Sequence, residues 1–337
     1  MADSGIYVGI SAWTEPTLIE SGRFYPGDAK TPETRLRYYA SEFPIVEVDS
    51  TFYAPPSERI AQIWTDRTPS GFIFDVKAYR LLTHHPTPPS SLWRELRDEL
   101  PPKLRAKPTI YAADLSWELL AYALDRYMAG IGPLVDAGRL GVVLFQLPRY
   151  VYPSRRSYGY LEWLASHLGG VQAAVEFRQS RWMDDDHRAS TLDFLGENGL
   201  AYVSVDEPQG YPSSIPPIAA ATANVAVVRF HGRNRDRWQA RTPRAADRFA
   251  YDYAPEELSE WVPRIEWLHH GERPVHVLMN NCYRDYAVRA ARTLSAHLIS
   301  HQRASGLETV HSDDASRSRP AVGVPRGAFG PIPPHND

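Results

Sequence analysis

The sequence holds a single cysteine, Cys282, among 337 residues. One thiol cannot close an intrachain disulfide, so a stapled secreted scaffold is excluded, and so is a Cys-rich zinc ribbon. Excess charge of one sign is also missing. The 37 basic and 40 acidic residues leave a net charge near -3, which gives no global pull toward nucleic acid or an anionic bilayer. No apolar run approaches the roughly 20 residues that span a bilayer. The opening Met-Ala-Asp-Ser-Gly lacks the basic and apolar regions of a secretory signal. The expectation is a soluble, cytoplasmic protein with no membrane contact. The chain also has no P-loop, no GxGxxG and no GxSxG, so nucleotide-cofactor and serine-hydrolase readings have no support.

What is present is an ordinary globular composition, 43% hydrophobic and 23% charged, with acid placed where a buried strand should be oily. The stretch Val46-Glu-Val-Asp-Ser-Thr-Phe-Tyr53 puts Val46 and Val48 on one face of a strand and Glu47 and Asp49 on the other. If the valine face packs on helices, the carboxylate face lines the interior mouth of a closed parallel barrel. Phe72-Ile-Phe-Asp-Val-Lys77 repeats the arrangement, with Asp75 and Lys77 sharing a face, and residues 173–177 lead to Glu176 and Arg178 on one face.

In chain order, strands are expected at 6–10, 45–49, 72–77, 142–146, 173–177, 202–205, 225–230 and 275–279. Helices are expected at 31–43, 57–66, 114–137, 161–168, 255–269 and 286–300. Proline near the first turn at Thr31-Pro32 and Gly199 after a helical stretch are the boundary signals. Eight strands alternating with mostly helical connections give the α/β class, as one (β/α)8 TIM barrel over 1–302. The first part of the long excursion 78–141 after the third strand reads as a lid or pocket wall, with a plain surface insertion as the equal alternative. The Ser-, Pro- and Gly-rich residues 303–337 read as a disordered tail.

Six motifs in this order resemble the DUF72 family, a domain of unknown function with a TIM-barrel fold. They are the 46–53 stretch, the 72–77 strand with Thr83-His84, Phe145-Gln-Leu-Pro148, Glu176-Phe-Arg178 with Trp182, Arg229-Phe-His-Gly232, and Asn280-Asn281. The resemblance covers about residues 6–300. The family pattern usually has Asn where this chain has Asp49, His where it has Gln179, and an aromatic where it has Met279. The resemblance implies the barrel and brings no reaction, so function is argued from the site.

The strand ends collect the candidates. Glu176, Asp206 and His231 are the expected catalytic groups. Glu47, Asp49, Lys77, His84, Gln146, Arg178, Arg229 and Asn280 are the expected substrate contacts. Lys77, Arg178, Arg229, Arg233 and His84 converging on one anion, with Glu176 or Asp206 as base, describe an anion-binding pocket for a small phosphorylated or carboxylated substrate. The enzyme would be a hydrolase, an isomerase or a lyase. The alternative partner is a nucleic acid phosphodiester, with Trp13, Phe52, Tyr53, Trp182 and Trp238 as stacking faces. A non-catalytic ligand-binding or scaffold barrel is the third reading, in which Lys77 and Arg229 merely neutralise Glu47 and Asp75. No cofactor is expected. A divalent metal on Glu176, Asp206 and His231 ranks below that, because Arg178 and Arg229 would repel a cation.

Overall fold

The computed structural model describes residues 5–304 except 241 and 243, together with the backbone of Ala328–Phe329. Eight parallel strands close into a barrel. They are β1 (Ile6–Ser11), β2 (Ile45–Val48), β3 (Ile73–Lys77), β4 (Leu140–Gln146), β5 (Ala173–Glu176), β6 (Ala201–Asp206), β7 (Ala226–Phe230) and β8 (Val275–Met279). β8 pairs back onto β1 with Ile6 opposite Val275, which closes the ring. The expected α/β barrel and its strand positions are therefore those observed. Among the described residues no helix is long and apolar enough to cross a membrane.

The strands form because β-branched and aromatic side chains alternate outward against a helix layer, and burial of those faces drives closure. Tyr39, on the helix Pro32–Glu42, is fully buried; its hydroxyl accepts from the Ile10 amide and donates to the Ile45 carbonyl, both at 2.9 Å. One side chain thus fixes the height of β2 against β1. Trp182 stacks on Phe177 at 4.3 Å and donates to the Val151 carbonyl, so it belongs to the wall.

Helix boundaries differ from expectation where a cap or a proline decides. The helix expected at 161–168 is Arg155–His167, because the Ser154 side chain accepts from the Ser157 amide and starts it two turns early. The helix expected at 255–269 is two pieces, Pro255–Ser259 and Val262–Leu268. Pro263 lacks the amide an unbroken helix would need and would crowd the carbonyl of Ser259. The excursion 78–141 holds the short helices Arg94–Glu99 and Pro102–Arg105 before the return helix Trp117–Asp136, which Ser116 caps. The last helix, Tyr286–Ala304, crosses the expected boundary at 302. The expected disordered tail lies outside the described residues, apart from an antiparallel pairing of Ala328–Phe329 with Ala219–Ala220.

Candidate functional site

Register decides what reaches the barrel interior. Ser11 lies opposite Glu47, Glu47 opposite Asp75, Gln146 opposite Glu176, and Arg229 opposite both Val205 and Leu278. Neighbours in register share a face, so Glu47, Asp75, Glu176 and Arg229 all point inward. The interior therefore holds a stack of charge beside apolar neighbours such as Val205 and Leu278.

The lowest layer is Asp75 with His276, whose Nδ1 lies 2.9 Å from Oδ1, while the Val142 amide donates to the same oxygen at 3.0 Å. A register shift between Phe74 and Val76 brings Gly141 over this pair. A Cβ there would stand 2.2 Å from Asp75 Oδ1 and 2.7 Å from the His276 ring, so only glycine fits. Above it, Arg229 is fully buried and donates from Nε and Nη2 to the two oxygens of Glu47 at 2.8 and 2.6 Å, and from Nη1 to Glu176. Burial pushes the Glu47 carboxyl up, and Arg229 and Lys77 counter part of that. Glu176 is also buried, yet Arg229, Arg178 and His231 outweigh the burial and hold it well below the usual carboxylate range.

The uppermost layer is the mouth. Arg178 Nε lies 2.7 Å from Glu176 Oε1, and its Nη1 donates to Glu207 Oε2. Glu207 is buried, and its Oε1 accepts from the Ile215 amide at 2.7 Å. Burial dominates there: it lifts the Glu207 carboxyl to about 8, Arg178 and the Ile215 amide offset part of the rise, and the charges of Glu176 and Asp206 add to it. His231 Nε2 lies 3.2 Å from Glu176 Oε1, and Asn280 Nδ2 donates to His231 Nδ1 at 2.8 Å. An amide nitrogen on Nδ1 leaves the ring proton on Nε2, facing Glu176. Burial and then Arg178 push the imidazole down to about 3, so it is neutral. The contacts of Glu176 Oε1 with Arg178 Nε and His231 Nε2 are close but not aligned as hydrogen bonds. Across the mouth, Lys77 Nζ lies 2.7 Å from Asp49 Oδ1 and 4.9 Å from the centre of the Phe52 ring. Trp238 roofs the cluster, 5.1 Å from the Arg178 guanidinium and 6.3 Å from His231. Gln146 is half-buried beside Glu176 in register.

Glu47, Glu176, Arg178, Arg229, His231 and Asn280 thus stand in one network, with Lys77 and Asp49 as a pair on the opposite rim. Asp206 does not join it. It lies opposite Phe230, whose ring packs on Tyr253 and Trp261, so Asp206 faces the helix layer. There it accepts from Tyr253 at 2.6 Å, Trp261 at 2.8 Å and Arg233 at 2.8 Å. Arg233 is spent on Asp206, Glu257 and Glu260, and Arg229 is saturated by its two carboxylates. The five cations expected to converge therefore reduce to Lys77 and Arg178. His84 is also elsewhere: its ring packs on Tyr160 at 4.2 Å, whereas the neighbouring His85 sits 4.9 Å from Phe52. Asp75 is held by His276, not by Lys77 or Arg229.

Sequence reasoning missed Glu207, His276 and His85. Glu207 carries the inward parity of Val205, which lies opposite Arg229. The expected stacking faces are depleted too, since Trp13, Trp182 and Trp238 are buried, and only Phe52 and Tyr53 have substantial exposure. Among the described residues no group of three His, Cys, Asp or Glu side chains is arranged to hold a metal ion.

Comparison with known proteins agrees with the barrel. Residues 7–314 match the family described as "Protein of unknown function DUF72". The UPF0759 protein YunF of Bacillus subtilis (strain 168) is 31% identical over 281 residues, which covers 82% of this chain and 88% of that protein. The crystal structure of a DUF72 family protein from Thermotoga maritima MSB8 superposes with a TM-score of 0.66 at 29% identity, over 87% of this chain and 99% of that one. One from Enterococcus faecalis V583 superposes with a TM-score of 0.64 at 24% identity, over 78% and 93%, a likeness of fold. With a family match over nearly the whole chain and a relative above 30% identity, this chain belongs to the DUF72 family.

Proposed function

We propose that this chain is an enzyme that carries out acid–base chemistry, at the carboxyl mouth of its barrel, on a small substrate bearing a phosphate or carboxylate. The observation that supports this reading is that two buried carboxylates share Arg178 and are driven apart in protonation. Glu176 is held ionised, and Glu207 is lifted to about 8. Paired groups pushed apart in this way mark acid and base assignments, and a group with a pKa near the working pH is the efficient proton carrier. Glu207 is that group. Glu176 then acts through Arg178, as the counter-charge beside its guanidinium, and the neutral His231 flanks Glu176.

Charge balance gives the reading its second half. Glu47, Glu176 and Asp49 are paired with Arg229, Arg178 and Lys77 one for one, and Glu207 keeps its proton at neutral pH. An incoming anion is tolerated on Arg178 and Lys77 in that state and opposed once Glu207 ionises. Binding should therefore weaken as pH rises through about 8. A proton carrier beside an anion-receiving guanidinium suits proton transfer within the substrate, the isomerase or lyase class.

The test is a thermal-shift panel of sugar phosphates and small carboxylates on wild type, Arg178→Lys and Glu207→Gln at pH 6.5 and 9. The reading expects one anion class to protect wild type more at pH 6.5 and to lose its effect in Arg178→Lys. In Glu207→Gln, which mimics the protonated acid, protection should persist at pH 9. Equal protection of all three proteins at both pH values would sink it.

A further inference from the structure

A second cluster of arginines lies on the same rim, outside the network around Arg178. The segments that follow β1, β7 and β8 line an open cleft of about 540 Å³, and the exposed side chains of Arg23, Arg244 and Arg284 are part of that lining. Glu20 and Asp247 are the two carboxylates of the same lining. Arg244 is matched by Glu20 at 2.7 Å, and Arg23 has a longer contact of 3.4 Å with Asp285, which Arg289 also engages at 3.3 Å. Arg284 makes no ion pair among the described residues.

Arg284 is also the residue whose backbone is bent to place it. Its φ is 52°, in the left-handed region where an L side chain is disfavoured, and its amide donates to Thr17 Oγ1 at 2.8 Å, which pins the turn to the segment after β1. Its guanidinium lies 5.3 Å from the centre of the Tyr283 ring, a flat shelf that orients it without neutralising it. Glycine would take this backbone without strain. An exposed arginine there, without an ion pair among the described residues and lining a cleft with two other arginines, has a guanidinium available to an anion.

We propose that this cavity is an oxyanion site separate from the Arg178 network, taking a tetrahedral dianion of the phosphate type. Arginines from three separate chain segments line the space, which suits a tetrahedral group with acceptors on every face better than a planar carboxylate met by one fork. The segments after the last strands of a (β/α)8 barrel are a common place for phosphate to bind. The dianion is either free inorganic phosphate or the end of a phosphomonoester.

The experiment is calorimetric titration of inorganic phosphate, and separately of methyl phosphate, into the full chain at pH 7 and low ionic strength. Three variants accompany wild type: Arg284→Gly, Arg284→Asn and Arg178→Lys. The site predicts a saturable binding event of at least one probe to wild type that weakens tenfold or more in both Arg284 variants and persists in Arg178→Lys, where only a separate event at the central network is removed. The melting temperature of Arg284→Gly should equal or exceed that of wild type, and Asn, which tolerates the left-handed region, guards against a fold effect peculiar to glycine. Tighter binding of inorganic phosphate identifies a free ion as ligand, and equal or tighter binding of methyl phosphate identifies a monoester end; both support the site. No binding to wild type, unchanged affinity in the two Arg284 variants, or loss in Arg178→Lys instead would overturn it. The last of these would move the anion to the central network and leave the Glu207 reading standing.

Discussion

Arg229→Met tests whether the barrel interior is held by its ion network. Arg229 has no solvent exposure, and it supplies both hydrogen bonds that reach Glu47, at 2.8 and 2.6 Å, plus one to Glu176. Methionine fills much of the same volume, so the loss is electrostatic rather than a cavity. Glu176 keeps Arg178 at 2.7 Å, but Glu47 is left buried with no donor of its own. Removing one partner of a buried pair costs about 3–5 kcal/mol, nearly all of it here falling on Glu47. The double variant Arg229→Met, Glu47→Gln removes that stranded charge and should regain about 2 kcal/mol, a coupling expected of residues in contact. Urea unfolding at pH 7, with midpoints compared at a common slope, measures both. A loss below about 1 kcal/mol for Arg229→Met, as for a solvent-exposed pair, would refute the reasoning. So would a double variant no more stable than the single one.

Three other expectations follow from the same geometry. Asp206→Asn should destabilise by about 2–4 kcal/mol, because it takes the charge from the acceptor shared by Arg233, Tyr253 and Trp261, while anion protection through Arg178 stays as in wild type; lost protection at full stability would return Asp206 to the site. Gly141→Ala should cost about 1–3 kcal/mol by pressing on Asp75 and His276, and a neutral result in thermal unfolding would contradict the tight floor of the barrel. Stability should also depend on pH in a defined direction. Glu207, raised from 4.5 to about 8, binds a proton in the fold that the unfolded chain releases, so its contribution falls as pH rises between those values. His231, lowered from 6.5 to about 3, contributes the opposite slope below 6.5. The two oppose each other from 4.5 to 6.5, and Glu207 acts alone from 6.5 to about 8. Glu207→Gln should remove a fall of about 1.4 kcal/mol per pH unit in that upper window; an unchanged slope in urea unfolding at pH 6.5, 7.25 and 8 would contradict it.

The barrel was legible because period-two alternation is a local signal. Glu47 with Asp49 and Glu176 with Arg178 declared an inward polar face directly, and register then carried Arg229 and His231 onto it. Asp206 and Glu207 show where that signal stops. Adjacent acids at a strand end differ only in parity, and nothing local says which parity points inward. Only pairing with β7 decides between them, since Val205 opposite Arg229 puts Glu207 inside. His84 and His85 pose the same difficulty in a turn, where no periodicity exists and the positive φ of His84, 61°, sends the two rings apart. The fates of Arg229 and Arg233 were illegible for another reason. A sequence gives the sign of a charge but not which carboxylates will occupy it, and both arginines are consumed by acids from distant strands and helices.

The central claim is that Glu207 holds a proton at neutral pH within reach of Arg178. The most direct measurement is a carboxyl titration of the glutamates by ¹³C NMR on side-chain-labelled protein, with Glu207→Gln used to assign the resonance. The account predicts that the signal absent from Glu207→Gln titrates with a midpoint near 8 in wild type. A midpoint near the ordinary glutamate value of about 4.3 would contradict it, because Arg178 would then be fully neutralised at pH 7 and the mouth would hold no proton to give.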